Sequence, residues 1–227
     1  MIRLLFIAVT GKSLPIRMYK TAPVRSSHFA PQKVFACFLL LLLCGAGWAQ
    51  EQSLQYAINR HGKKVGELTF KQVKESTKTT YTVESLVKVS ILLSFTVQAW
   101  ESSVYENDVL QSSSLVRKVN GKERTNKVIK TTGSGLTISN KNEEKVVKNY
   151  LVKYSTHCLY VAEPVSYTNV FSDNYQQFIP IQKLAVHHYK ISFPDGGSNE
   201  YFYENGICKK VKVRSSLFDA EFVLVSP

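Results

Sequence analysis

The sequence predicts an all-β, mainly antiparallel protein. A curved meander sheet forms a half-barrel or β-clam, with at most one short helix near 156–163. Three observations carry this. Apolar and polar residues alternate with period two over many segments, the mark of half-buried strands. Those segments are rich in Thr, Val, Tyr and Phe, which suit a pleated surface. Tight turn sequences separate them, with no helix of crossover length between, so the connections are hairpins and the neighbours antiparallel.

The chain opens with a segment to be set aside before the fold. The stretch KVFACFLLLLLCGAGWAQEQ, 33–52, holds an apolar run of 16 residues, 34–49, short of the roughly 20 that span a membrane. Lys33 precedes the run. Gly47 and Ala49 place small residues at the −3 and −1 positions of a signal peptidase site. Residues 1–49 read as a signal peptide region, cleaved after Ala49. Lipidation at Cys44 would want a small residue just before the cysteine, and Leu43 stands there. Met18 is an alternative start, which would make 1–17 upstream of the true N-terminus. The expected location is outside the inner membrane, in the periplasm or associated with the outer membrane.

Residues 50–227 then form a single antiparallel β domain, long enough for a full core. Runs at 54–59 and 65–73 are joined by RHGKK. Tyr81, Val83, Val87 and Val89 share one parity against Thr80, Thr82, Glu84 and Lys88; Leu93, Phe95, Val97 and Ala99 continue it. END at 106–108 and VNGK at 119–122 are turns, the Asn-Gly being a strong hairpin signal. GSG at 133–135, PDGG at 194–197 and ENG at 204–206 add three more. Tyr189, Ile191 and Phe193 alternate with Lys190 and Ser192; Phe218, Ala220, Phe222 and Leu224 alternate with Asp219 and Glu221. Only 154–175 breaks the rhythm, with a helical turn expected before Pro164 and an irregular crossing after it. A meander this long must curl, because a flat sheet would leave an apolar face wet. Two closures fit, a barrel or an open half-barrel clasped around 154–175, and the single alternation favours one inner and one outer face.

Composition narrows the function. Lys and Arg number 29 against 17 Asp and Glu, a net charge of +12. Six of those cations lie within 1–49, so the remainder carries +6, scattered over many segments. Nucleic-acid binding wants a clustered patch or a known module, and neither is present. No His or Cys pair has metal-ligand spacing: His157 adjoins Cys158, and in a strand His187 and His188 point to opposite faces. No metal and no cofactor are expected. Cys158 and Cys208 are the two cysteines beyond the leader, and an oxidising compartment would permit a disulfide between them.

Hydrolase candidates are Glu163, Asp173 and Asp195 as acids and Ser172 and Cys158 as nucleophiles. No serine sits in a nucleophile elbow, and Pro-Asp-Gly chemistry gives Asp195 a turn role. Tyrosines crowd 150–175, where they read as core with hydroxyls at the rim or as the lining of an apolar cavity. If a ligand binds, the expected site lies between the concave face and 154–175. Phe95 and Val97 would supply its apolar wall, and Tyr160, Glu163 and Tyr189 the polar groups that orient the ligand. The partner is unknown, a lipid or an envelope protein being the classes that fit. The alternatives are a hydrolase-type enzyme with its site in 154–175, or a purely structural envelope component.

The order of GKKVGEL (62–68), VNGK (119–122), LYVAEP (159–164), VFSDNYQQF (170–178) and YKISFPDGGSNEYFYENGIC (189–208) resembles an uncharacterised family of exported β-rich proteins. That family is common in Bacteroidota and catalogued as a domain of unknown function. The resemblance spans nearly all of 54–225. It implies export and a clam-like antiparallel sheet, and it carries no activity. It also implies an acidic-basic pair after VFS. Asp173-Asn174 departs from that pattern, which argues against a charge-dependent role there.

Overall fold

The computed structural model describes residues 49–90, 94–133, 135–140, 143–148, 150–215 and 219–226, within one compact unit, Gly47–Pro227. The leader, with Lys33 and Cys44, lies outside the described residues, as do Leu93 and Phe218.

Among the described residues, period-two alternation becomes fourteen strands: β1 (Gln50–Arg60), β2 (Lys63–Glu75), β3 (Lys78–Ser90), β4 (Ser94–Glu106), β5 (Val109–Val119), β6 (Lys122–Thr132), β7 (Gly135–Asn140), β8 (Glu143–Lys148), β9 (Asn169–Ser172), β10 (Gln177–Ala185), β11 (His188–Ser192), β12 (Ser198–Glu204), β13 (Ile207–Arg214) and β14 (Ala220–Ser226). The hairpin turns expected at RHGKK, END, VNGK, PDGG and ENG are in place, while Ser134 of GSG lies outside the described residues. His61-Gly62, Asn107-Asp108, Asn120-Gly121 and Asn205-Gly206 all have positive φ, as two-residue turns matched to strand twist require. The expected helical turn is a single 3-10 turn, Cys158–Tyr160.

The fourteen strands make one antiparallel sheet ordered β8-β7-β6-β5-β4-β3-β2-β1-β14-β13-β12-β11-β10-β9. Two meander arms therefore meet where the first and last strands pair, with Tyr56 opposite Leu224 and Ala57 opposite Val223. Register shifts at Ile58/Asn59, Val104/Tyr105, Arg117/Lys118 and Phe202/Tyr203 bend the strands and increase their twist. Gly66 opposite Val87 marks a close approach: a Cβ there would stand 2.3 Å from the Leu86 carbonyl oxygen.

The chain between β8 and β9 passes through the space that the curl encloses. The Leu110 amide donates to the Val152 carbonyl at 2.9 Å, and the Tyr203 hydroxyl to the Leu159 carbonyl at 2.8 Å. This segment thus touches both arms. One core cluster joins Leu110, Ile129 and Leu136 of the first arm to Leu159, Phe171, Ile191 and Val211. A second joins Leu54, Tyr56, Ile58, Leu68, Phe70 and Val83. Tyr81 and Tyr160 pack against both. Each large apolar side chain so buried stabilises the fold by roughly 1.5–3 kcal/mol. The arms also meet directly: Gln176 Nε2 donates to Asn140 Oδ1 at 3.2 Å, and Lys127 Nζ donates to the Asn174 carbonyl.

The expected irregular crossing over 154–175 holds more order than the sequence suggests. Residues 169–172 are β9, paired with β10, and Ser155 bridges to Phe171 in parallel. The pairing considered between Cys158 and Cys208 is not formed. Both are buried free thiols. Cys158 Sγ faces the Tyr105 hydroxyl at 3.8 Å, while Cys208 Sγ donates to the Lys210 carbonyl at 3.4 Å. Burial pushes the Cys208 thiol up to about 12, so it is an inert, apolar-like side chain.

Candidate functional site

A cavity of about 380 Å³ lies between the concave face and the internal segment, within the size range of small-molecule sites. Its apolar wall comes from β1–β4 and β14: Ile58, Leu68, Val83, Val87, Val97 and Phe222. These positions share the inner parity of their strands, which is why alternation alone aims them inward. Its polar side brings together Glu101 of β4, Arg117 of β5, His157 of the internal segment, Ser172 of β9, Tyr175 of the turn after it, and Tyr201 of β12.

The polar side centres on an ionic cluster. His157 is 1% exposed and Asp173 3%. The imidazole Nε2 stands 3.3 Å from Glu101 Oε2, and Nδ1 stands 3.4 Å from Asp173 Oδ2. Neither ring nitrogen nor either Asp173 oxygen meets hydrogen-bond geometry, so the contacts are electrostatic. Burial alone would push the histidine pKa down. The two carboxylates outweigh it and hold the group up at about 10. At neutral pH the ring is therefore a cation clamped between two anions. It has no free basic nitrogen, so it does not have the form of a general base, although Ser172 lines the same cavity and Asp173 stands beside the ring. Ser172 Oγ instead accepts the Tyr175 amide at 3.4 Å. Among the described residues no group of three His, Cys, Asp or Glu is placed to hold a metal ion.

Of the residues expected to bind ligand, Val97 and Tyr160 line the cavity. Tyr160 is fixed by stacking on Phe70 at 5.1 Å and by an edge contact with Tyr56 at 5.5 Å. Phe95, Glu163 and Tyr189 are not among the residues lining it. Glu163 and Tyr189 meet each other instead: the Tyr189 hydroxyl donates to Glu163 Oε1 at 2.7 Å, and His187 Nδ1 stands 2.9 Å from Glu163 Oε2. Burial would raise the Glu163 pKa, but the hydrogen bonds from His187 and Tyr189 win and lower it. Burial and the Glu163 carboxylate push the Tyr189 phenol up to about 12. Asp195 holds its turn as expected, accepting the Gly197 amide at 2.9 Å.

The inference against charge at Asp173-Asn174 is overturned by the position of Asp173. Its partner is His157, sixteen residues away in the chain, so a neighbouring cation was never needed. Glu101 was missed as well, although a signal existed. The inner parity running through Val97 and Ala99 places Glu101 inward on β4, with Ser103 and Tyr105 buried beyond it. A charged residue on an otherwise core-facing parity marks a site. The same reading of Ser113 and Leu115 places Arg117 inward on β5.

Fold and site define a class: a curled antiparallel sheet closed around its own crossing segment, with an internal cavity that is apolar on one side and ionic on the other. The chain belongs to the family described as a domain of unknown function, DUF6134, whose match covers residues 56–225. A crystal structure of a β-barrel-like protein of the domain of unknown function DUF1849, from Brucella abortus, is similar over 78% of this chain and 96% of that chain, at 12% identity and a TM-score of 0.49. No curated protein matches the chain.

Proposed function

We propose that this protein is an exported, non-enzymatic binding protein of the bacterial envelope, of a kind common in Bacteroidota, which holds an apolar or lipid-like ligand in its internal cavity. The observation that carries the reading is the cavity of about 380 Å³ with its wall of Ile58, Leu68, Val83, Val87, Val97 and Phe222. A few polar groups converge on the opposite side, the usual make-up of a small-molecule site. Export is supported by the apolar run at 34–49 and the Gly47/Ala49 pair. The competing hydrolase reading is weakened by His157, whose two nitrogens each face a carboxylate.

Native mass spectrometry of protein purified from its own envelope tests the reading. The expected result is a co-purified apolar molecule and a chain that starts at Gln50. Val97→Trp fills the cavity from its β4 wall and should abolish the co-purified ligand while the thermal transition is kept. No bound molecule under mild conditions would favour a purely structural component or a protein partner. An intact mass that retains the leader, or an acylated Cys44, would overturn the expected processing.

A further inference from the structure

We infer that the cavity selects a single-chain amphiphile with an acidic head group, and that Arg117 is the residue that binds the head. This rests on the cavity reading above and adds the chemistry of the ligand. Arg117 stands opposite Ala99 in the β4–β5 ladder, with Val97 and Glu101 as its diagonal neighbours on the same face. It lines the cavity beside the apolar wall.

Every other charged group of the lining has a partner of its own. Glu101 faces His157 at 3.3 Å. Asp195 accepts the Tyr175 hydroxyl and the Gly197 amide. Arg214 lies 4.0 Å from Glu200. The Arg117 guanidinium has no hydrogen bond or ion pair with a described residue. All 17 Asp and Glu of the chain are described residues, so no acidic side chain elsewhere supplies the missing partner. Its positive charge bears on Tyr175 and Lys127, a phenol and a second cation, and Glu101, its acidic diagonal neighbour, is held by His157. Lys127 is lowered by burial and then by Arg117, and its ammonium is engaged with the Asn174 carbonyl.

An unpartnered guanidinium beside an apolar wall is complementary to a carboxylate or a phosphate carrying an alkyl chain. Arginine pairs with either through two parallel hydrogen bonds. A neutral hydroxyl head accepts a hydrogen bond but leaves the guanidinium charge unpaired, and a cationic head would be repelled.

The test is isothermal titration of the delipidated full-length protein with dodecanoate, dodecyl phosphate and dodecanol, which share a chain and differ in head. Wild type, Arg117→Gln and Val97→Trp are compared, with thermal melts to establish that each variant is folded. The wild type should bind an acid at least about ten-fold more tightly than the alcohol. R117Q should lose that advantage, binding the acids no more tightly than it binds dodecanol. The tighter of the two acids identifies the head, and Arg117 is required for either. If dodecanol binds as well as the acids, or R117Q keeps the preference, the head-group inference is overturned while the cavity reading stands. If no probe binds, or V97W binds like the wild type, the cavity reading falls and this inference with it.

Discussion

His157 and His187 each face a glutamate across comparable distances, 3.3 Å to Glu101 and 2.9 Å to Glu163. The surroundings separate them. The His157 side chain is 2% exposed and has a second carboxylate, Asp173, at 3.4 Å. The His187 side chain is 58% exposed and sits on a hairpin turn. In water a histidine–carboxylate pair is screened and worth little. In the interior the same pair cannot lose one member without stranding charge. Similar chemistry therefore gives a rim contact in one place and, in the other, a bolt that ties the internal segment to β4 at the cavity.

The largest expected effect breaks the buried cluster. His157→Ala removes the cation from between Glu101 and Asp173, and urea unfolding should show a loss of about 3–5 kcal/mol. Replacing all three members with leucine sharpens the cause. Buried ion clusters exchanged for apolar groups are often neutral or more stable, so the triple variant should recover most of the loss. A triple variant no more stable than H157A would mean that the damage comes from packing and not from stranded charge.

pH separates the two clusters by sign. The His157 pKa is raised from 6.5 to about 10, so its stabilisation is fully present below the ordinary value and is lost as pH rises through about 10. Glu163 is lowered from 4.5, so its contribution is present above that value and is lost as pH falls through the lower folded one. Thermal melts from neutral to alkaline pH should therefore fall more steeply for wild type than for the triple leucine variant. An equal slope in both would remove His157 as the source. The smallest effect is expected for His187→Ala, within about 1 kcal/mol of wild type by urea unfolding. A larger loss would show that this exposed histidine also holds the fold together through Glu163.

Alternation and turn residues were enough to predict an antiparallel sheet that curls. Both depend on neighbours in the chain: a strand's parity is set every two residues, and Asn120-Gly121 makes its turn whatever lies beyond it. Val97 could be aimed at the interior for the same reason. What parity could not say is which inward residues meet. Phe95 shares the parity of Val97 and does not line the cavity, and Glu163 and Tyr189 find each other instead of a ligand. The pairing of β1 with β14, and the passage of the internal segment between the arms, are long-range outcomes that no local pattern encodes. They bring Glu101, His157 and Asp173, from a strand, a turn and the turn that follows β9, within ion-pair distance. A charge on the inner parity of β4 was legible in the sequence. That a histidine 56 residues further on would neutralise it was decided by tertiary structure, because burial removes water as the alternative partner and leaves only what the fold places nearby.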